Sequence, residues 1–376
     1  MRRRLFCGSL VVVMAMLATA ALAASDIYEV EPTFSPYSAG VVERSLLEEA
    51  LREVNYVRAL AGVPSDVTLD NGFTTKAQHG AVLMDANDVL SHTPTRPVDM
   101  PQGFYELGYD GTSHGNIAAS WTSRDGGKTG NITLGQSIAM WLADDDDRNI
   151  VHVGHRRWIL DPRMRRTGFG ISTRRGYSVM YVIEDRDDLT YEEWEASMKW
   201  PIDRTYVAWP VDGQHPRRYF GADVPWSVSL NSAVFDKCDD DAVTVRLTRM
   251  SDGRTWIFSA ARKDGSFNVS HEAYAYDECI IFRPDGVSEY GNGETWSVEI
   301  SGLKEQGMGA SRSISYTTTF TGADPAPDPY PTPAPYPDRD PAPRGPDSGS
   351  SGGCSTGFGA LALAALATAA LRSKER

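Results

Sequence analysis

The run Val153-Gly154-His155-Arg156-Arg157-Trp158-Ile159-Leu160, followed after a short basic stretch by Gly168-Phe169-Gly170-Ile171-Ser172, decides the fold. Residues 168–172 and 177–183 read as two strands joined through Arg174-Arg175-Gly176, which is a hairpin signal. Upstream of them the spacing is helical. Leu47, Leu51, Val54 and Val57 recur at helical spacing over 43–61, with Ser45 near the start and Gly62 at the end. A second helix is expected over 74–89, with Ala77, Ala81, Met84 and Asp88 on one stripe, and a third over 134–143 carrying Ile138, Trp141 and Leu142. Between the second and third lie about forty residues rich in Gly, Pro and Ser, a length usually reserved for functional or disordered loops. Helices first and a hairpin last imply an α+β layered domain rather than a parallel α/β one.

Downstream of a Trp-rich connector over 187–205, residues 206–321 read as short strands punctuated by Ser251-Asp252-Gly253, Asp264-Gly265, Asp285-Gly286 and Asn292-Gly293. The expected strands are 226–230, 243–248, 256–260, 279–282, 296–300 and 314–320. This spacing points to an all-β, immunoglobulin-like sandwich. Beyond it, ten of the 22 prolines fall between Pro325 and Pro346, so residues 322–353 read as an extended, semi-rigid linker.

The two ends speak to compartment. Arg2, Arg3 and Arg4, an apolar run and Ala21-Leu22-Ala23 form a signal peptide over 1–23. The last segment, 354–376, holds an apolar run that is short for a membrane span and a basic end of Arg372, Lys374 and Arg376. Its Gly-Gly-Cys start resembles the C-terminal sorting tails of Gram-negative bacteria, and Cys-Ser-Thr-Gly-Phe-Gly-Ala-Leu-Ala-Leu looks like the Synergistes-type version. The resemblance implies delivery to the envelope membrane, with Cys354 as the site of processing; a plain anchor helix is the alternative. The expected location is therefore the cell envelope or surface. A net charge of -13 leaves no broad basic surface for nucleic acid. With Cys7 in the signal and Cys354 in the tail, Cys238 and Cys279 are expected to pair as a disulfide across 40 intervening residues.

Four patches in order carry a resemblance over roughly residues 46–185. Asn55, Arg58 and Leu69 match an N-x-x-R helix and the leucine after it, and Leu90-Ser91-His92 matches a Ser-His helix end. Gly115-Asn116-Ile117-Ala118 is a degraded G-E-N-I, and Val153-Gly154-His155 precedes Gly168-Phe169-Gly170 by the usual interval. Together they resemble the CAP superfamily of cysteine-rich secretory, antigen 5 and pathogenesis-related 1 proteins. The resemblance implies a CAP-type α-β-α sandwich over 42–186 and an open cleft holding two histidines and two carboxylates. His92 and His155 align with the histidines, and Asp144, three residues after Trp141, with one carboxylate. The other carboxylate is missing, because His114 or Gly115 stands in its place.

Two imidazoles facing one cleft can hold Zn²⁺ with a carboxylate or water, or exchange protons near neutral pH. His114 and His152 are candidates to join them. His155 read alone is equally a loop-steadying residue, and Asp144 to Asp147 reads as a solvated acidic turn rather than a calcium loop. Arg156, Arg157, Arg163, Arg165 and Arg166 suggest either an anion or headgroup patch or salt bridges to that acidic run. The expected function is an extracytoplasmic module binding a small, lipid-like ligand or a divalent metal. The alternatives are a metal-assisted hydrolase, for which no G-x-S-x-G or H-E-x-x-H motif is present, and a surface spacer.

Overall fold

A computed structural model describes residues 26–124, 127–184, 200, 204–276 and 278–323. The expected signal peptide, most of the connector and linker, and the tail with Cys354 lie outside the described residues.

Four short strands come first: β1 (Tyr28–Val30), β2 (Thr33–Phe34), β3 (Tyr37–Ser38) and β4 (Val41–Val42). They pair as β1 with β4 and β2 with β3. Next follow α1 (Arg44–Leu60), β5 (Thr68–Leu69), α2 (Asn71–Asn87), α3 (Gln102–Ser113) and β6 (Gly115–Ala119). The hairpin β7 (Trp121–Arg124) and β8 (Gly127–Gly130) leads to α4 (Leu134–Ala143), α5 (Gly154–Ile159), β9 (Arg166–Ser172) and β10 (Tyr177–Tyr181). The sheet runs β5-β9-β10-β6, its last two pairings antiparallel. Helices cover both faces, so the expected α-β-α layering is observed.

Strand period two sorts the layers. Ile117, Tyr177 and Val179 meet Ala77, Ala81 and Met84 of α2 on one face. Phe169, Ile171 and Met180 face the cluster that contains Val54 of α1 and Ile138 and Trp141 of α4. Glycines set the approach distance on the α2 side. A Cβ at Gly170 would overlap the backbone of Ala77, and one at Gly111 of α3 would overlap the backbone of Lys76. Helix α3 lies inside the segment expected to be loop. Its glycines lower intrinsic helix propensity, yet they let it pack directly on α2, and tertiary contact prevails. Helix α2 starts three residues earlier than expected because the Asp70 carboxylate accepts from the Phe73 N–H at 2.9 Å and caps it.

Asn55 and Arg58, which carried part of the resemblance, are structural. The Asn55 side chain brackets Val67, donating to its carbonyl at 2.9 Å and accepting from its N–H at 3.1 Å. Arg58 is fully buried and donates to the carbonyls of Pro64, Ile159 and Asp161 at 2.7–2.9 Å. Its guanidinium thus ties the turn after α1 to the chain after α5.

The second unit contains β11 (Tyr206–Trp209), β12 (Gly213–Pro216), β13 (Trp226–Leu230), β14 (Thr244–Arg249), β15 (Thr255–Phe258) and β16 (Gly265–Ser270). It ends with β17 (Cys279–Pro284), β18 (Thr295–Lys304) and β19 (Ser311–Thr321). One sheet has the order β11-β13-β17-β16 and the other β12-β19-β18-β14-β15. The sheets pack through aromatic side chains: Trp226 lies 5.9 Å from Phe282 in its own sheet, and 6.2 Å and 6.0 Å from Trp296 and Phe320 of the other.

Cys238 and Cys279 are free thiols, which corrects the expected disulfide. Along β17, Cys279 and Ile281 face Val153 of the first unit, whereas Ile280 and Phe282 belong to the main hydrophobic core.

The candidate cleft and its histidine pair

Helix α4 ends on Asp144, which takes the left-handed conformation at φ 44° and turns a nearly fully buried carboxylate back toward the following loop. That carboxylate divides its two oxygens. Oδ1 accepts from His155 Nδ1 at 2.7 Å, and Oδ2 accepts from the Arg156 backbone N–H at 3.0 Å. His155 lies on α5, a single short turn of helix entered through Val153 at φ 45°. A β-branched residue is a conformational outlier there, and this one is wholly buried against Cys279 and Ile281.

His92 follows α2 and its ring Nδ1 pairs with the Thr112 carbonyl at 2.8 Å, while the Thr112 hydroxyl donates to the His92 carbonyl at 3.2 Å. Burial lowers the His92 pKa, the Thr112 carbonyl partly opposes this, and the charge of His155 lowers it further. For His155 burial also acts against the charged form, but the Asp144 carboxylate, through charge and hydrogen bond, overrides it and raises the pKa. The two imidazoles are thus driven apart: His155 toward imidazolium, His92 toward neutral imidazole. Among the described residues neither Nε2 has a protein partner. With its Nδ1–H donated to a carbonyl, neutral His92 leaves a lone pair on Nε2, whereas His155 offers an N–H there.

His114 goes elsewhere. Its Nδ1 pairs with Asp110 at 2.8 Å, and Asp110 is also held by Lys76 at 2.7 Å and by the Tyr181 hydroxyl at 3.1 Å. Burial opposes the charge on Asp110, but His114 and Lys76 hold its pKa near about 2. The His152 ring lies tilted against Tyr274 of the second unit, with 5.7 Å between centroids, and joins the contact between units. The Glu expected in the G-E-N-I position has no counterpart. A Cβ on Gly115 would already crowd Val179, while the next residue, Asn116, donates to the His155 carbonyl at 2.9 Å. Asp146, not Asp144, forms the acidic turn, accepting from the Arg148 and Asn149 N–H groups at 3.0 and 3.3 Å.

Residues 51–184, about a third of the chain, match the family model described as CAP, the cysteine-rich secretory protein family. This segment is a CAP domain. No curated protein and no solved structure matches the chain.

The arginines around α5 and β9 do not form an exposed anion-binding patch. Arg156 and Arg157 are buried, donating mostly to backbone carbonyls; Arg163 pairs with Asp161, and Arg166 with Asp70 and Glu184. Sequence reading missed their role, although two arginines embedded between Val-Gly-His and Trp-Ile-Leu are a signal of burial. A separate hollow of about 790 Å³ opens between α1, β8 and the start of α4, lined in part by Leu46, Glu49, Ile132, Leu134 and Tyr219. It shares no residue with the histidine pair.

Testing the residues against a metal gives an incomplete set. Among the described residues no group of three or more His, Cys, Asp and Glu side chains is arranged to hold an ion. Both Asp144 oxygens are already engaged, so the histidines alone would have to serve.

Proposed function

We infer that the protein is a binding module that captures a small amphipathic ligand by its polar head between His92 and His155. The observation that carries this is the opposed polarity of the two rings. An imidazolium N–H beside an imidazole lone pair matches a ligand that accepts one hydrogen bond and donates another, as a protonated acid or an alcohol does. Val89 and Leu90, both exposed and just ahead of His92, offer apolar surface to the rest of such a molecule. Calorimetric titration with a long-chain fatty acid and its alcohol is the test. Micromolar binding that weakens at least tenfold in both His92→Ala and His155→Gln is expected; binding that is equal in the variants excludes the cleft.

Divalent metal binding is the second reading, favoured because each Nδ1 is donated to a carbonyl or a carboxylate, the usual second contact of a metal-bound histidine. A bound Zn²⁺ would supply Lewis acidity. His155 would have to lose its Nε2 proton, which Asp144 helps it retain by raising the ring's pKa, so uptake should rise with pH. Zn²⁺ uptake that is lost in the double variant selects this reading, and turnover on peptide, ester or glycan substrates would select the hydrolase.

The export signal, the membrane tail and the envelope location rest on residues outside those described. Among the described residues no helix is long and apolar enough to cross a membrane. For the second unit, lettering the strands in chain order with β12 as the second half of the first strand reads A-B-E-D and A′-G-F-C-C′. That order supports an immunoglobulin-like sandwich.

A further inference from the structure

The loop that carries His155 is built as much by the second unit as by the first. Immediately after His155, the Arg156 guanidinium is 1 % exposed and makes four hydrogen bonds. Nε donates to the Leu142 carbonyl at 2.6 Å and Nη2 to the Ala143 carbonyl at 2.7 Å, so the last turn of α4, directly before Asp144, is gripped from one side. Nη1 donates to the Pro225 carbonyl at 2.7 Å and the Ser227 hydroxyl at 2.9 Å, both at the start of β13 in the sandwich. Arg157 repeats the arrangement in the other direction, reaching Ser270 at 3.2 Å and the carbonyls of Glu272 and Tyr276 at 2.7 and 2.5 Å. Between them, the strained Val153 is packed on Cys279 and Ile281 of β17.

These contacts converge on one pair. The backbone N–H of Arg156 binds the Asp144 oxygen that His155 does not use, while its side chain fixes the two carbonyls that precede Asp144. A guanidinium can hold this divided geometry because its donors form a rigid planar fork; a lysine ammonium cannot reach both sides at once. Leaving such a cation unpaired in the interior is costly, so the four acceptors and the loop are locked together.

We propose that Arg156 is a positioning residue for the His155–Asp144 pair and that the sandwich, through Ser227, Pro225, Cys279 and Ile281, is a working part of the cleft. The inference rests on the reading of this pair as the functional site, but its test does not depend on any ligand.

The readout is the His155 Nδ1–H proton in the intact chain, whose 2.7 Å bond to a buried carboxylate should give a downfield, slowly exchanging NMR signal assigned by its loss in Asp144→Asn. The Trp141 Nε1–H, bonded to the Ile117 carbonyl at 3.0 Å, reports whether the CAP core remains folded. In Arg156→Lys the His155 signal should exchange at least tenfold faster with the Trp141 signal unchanged. Should Arg156→Lys fail to fold, Ser227→Ala removes only the sandwich hydroxyl and should accelerate exchange severalfold. A His155 signal of wild-type exchange rate in whichever of these variants is folded overturns the proposal. Faster exchange in these variants, combined with no ligand binding by the wild-type protein, would instead remove the functional reading and leave the positioning role intact.

Discussion

At the scale of single residues, His271 is held between two carboxylates. Nδ1 faces both oxygens of Glu278 at 2.8 and 2.9 Å, and Nε2 faces Asp240 at 2.7 Å. A neutral ring has one N–H and one lone pair, so it could satisfy only one of these carboxylates. Burial disfavours the charge, yet the hydrogen bonds to Glu278 and Asp240 raise the pKa above its ordinary value. Because the folded pKa is the higher one, this clasp stabilises fully below about pH 6.5, the unfolded value, and its contribution is lost as pH rises through the folded pKa. Replacing His271 by Gln should therefore cost on the order of 1 kcal/mol at pH 5.5, a figure kept small by partial exposure. The cost should be much less at pH 9, as read from urea denaturation at the two pH values. His92 runs in the opposite sense: its pKa is lowered on folding, so its contribution is present above the unfolded value and lost as pH falls.

At the scale of elements, the packing of α2 on β9 sets the spacing of the CAP domain. Gly170→Ala should destabilise by about 1–3 kcal/mol, the usual cost of overpacking a filled interior, because its Cβ would overlap the Ala77 backbone. Thermal unfolding followed by circular dichroism measures it. The cost should be far smaller for Gly135→Ala on α4, where a Cβ meets nothing within 4 Å. Elements with a strong local signature were legible: α1 and α4 from their apolar residues, and the β9–β10 hairpin. Helix α3 was not, since its glycines read as loop until α2 is placed beside them. The strands β11, β12 and β16 were also missed. Of these, β12 pairs in parallel with β19, a hundred residues downstream, so no turn or neighbouring strand marks it.

At the scale of the molecule, contacts between the two units among the described residues include two groups. One is the Arg156–Arg157 loop, joined by Tyr276, whose hydroxyl donates to the Leu160 carbonyl at 2.5 Å, and by Asn268, which donates to Val151 at 2.7 Å. The other is α1, where Glu53 accepts from Arg218 at 2.7 Å and from the Tyr219 hydroxyl at 2.5 Å. Such a contact predicts one cooperative transition for residues 26–323, with near-ultraviolet and far-ultraviolet circular dichroism coinciding. Residues 26–184 alone would lose the sandwich partners of Arg156, Arg157 and Val153 and expose that interface to water, so they should unfold at a lower denaturant concentration than residues 26–323. Denaturant titration of the two fragments, with size exclusion to detect aggregation, provides the comparison.

The sequence by itself determined the α+β class and the CAP resemblance, and it singled out His92, His155 and Asp144 as candidates, because these follow from local periodicity and from short motifs at fixed intervals. Tertiary structure alone decided which of those residues meet. It joined His155 to Asp144, sent His114 to Asp110, left Cys238 and Cys279 as free thiols, and buried Arg156 where a surface patch was one reading. The physical reason is common to all four. Burial, pKa and pairing depend on neighbours brought in from distant parts of the chain, and a buried polar group is defined by partners that its own sequence neighbourhood does not contain.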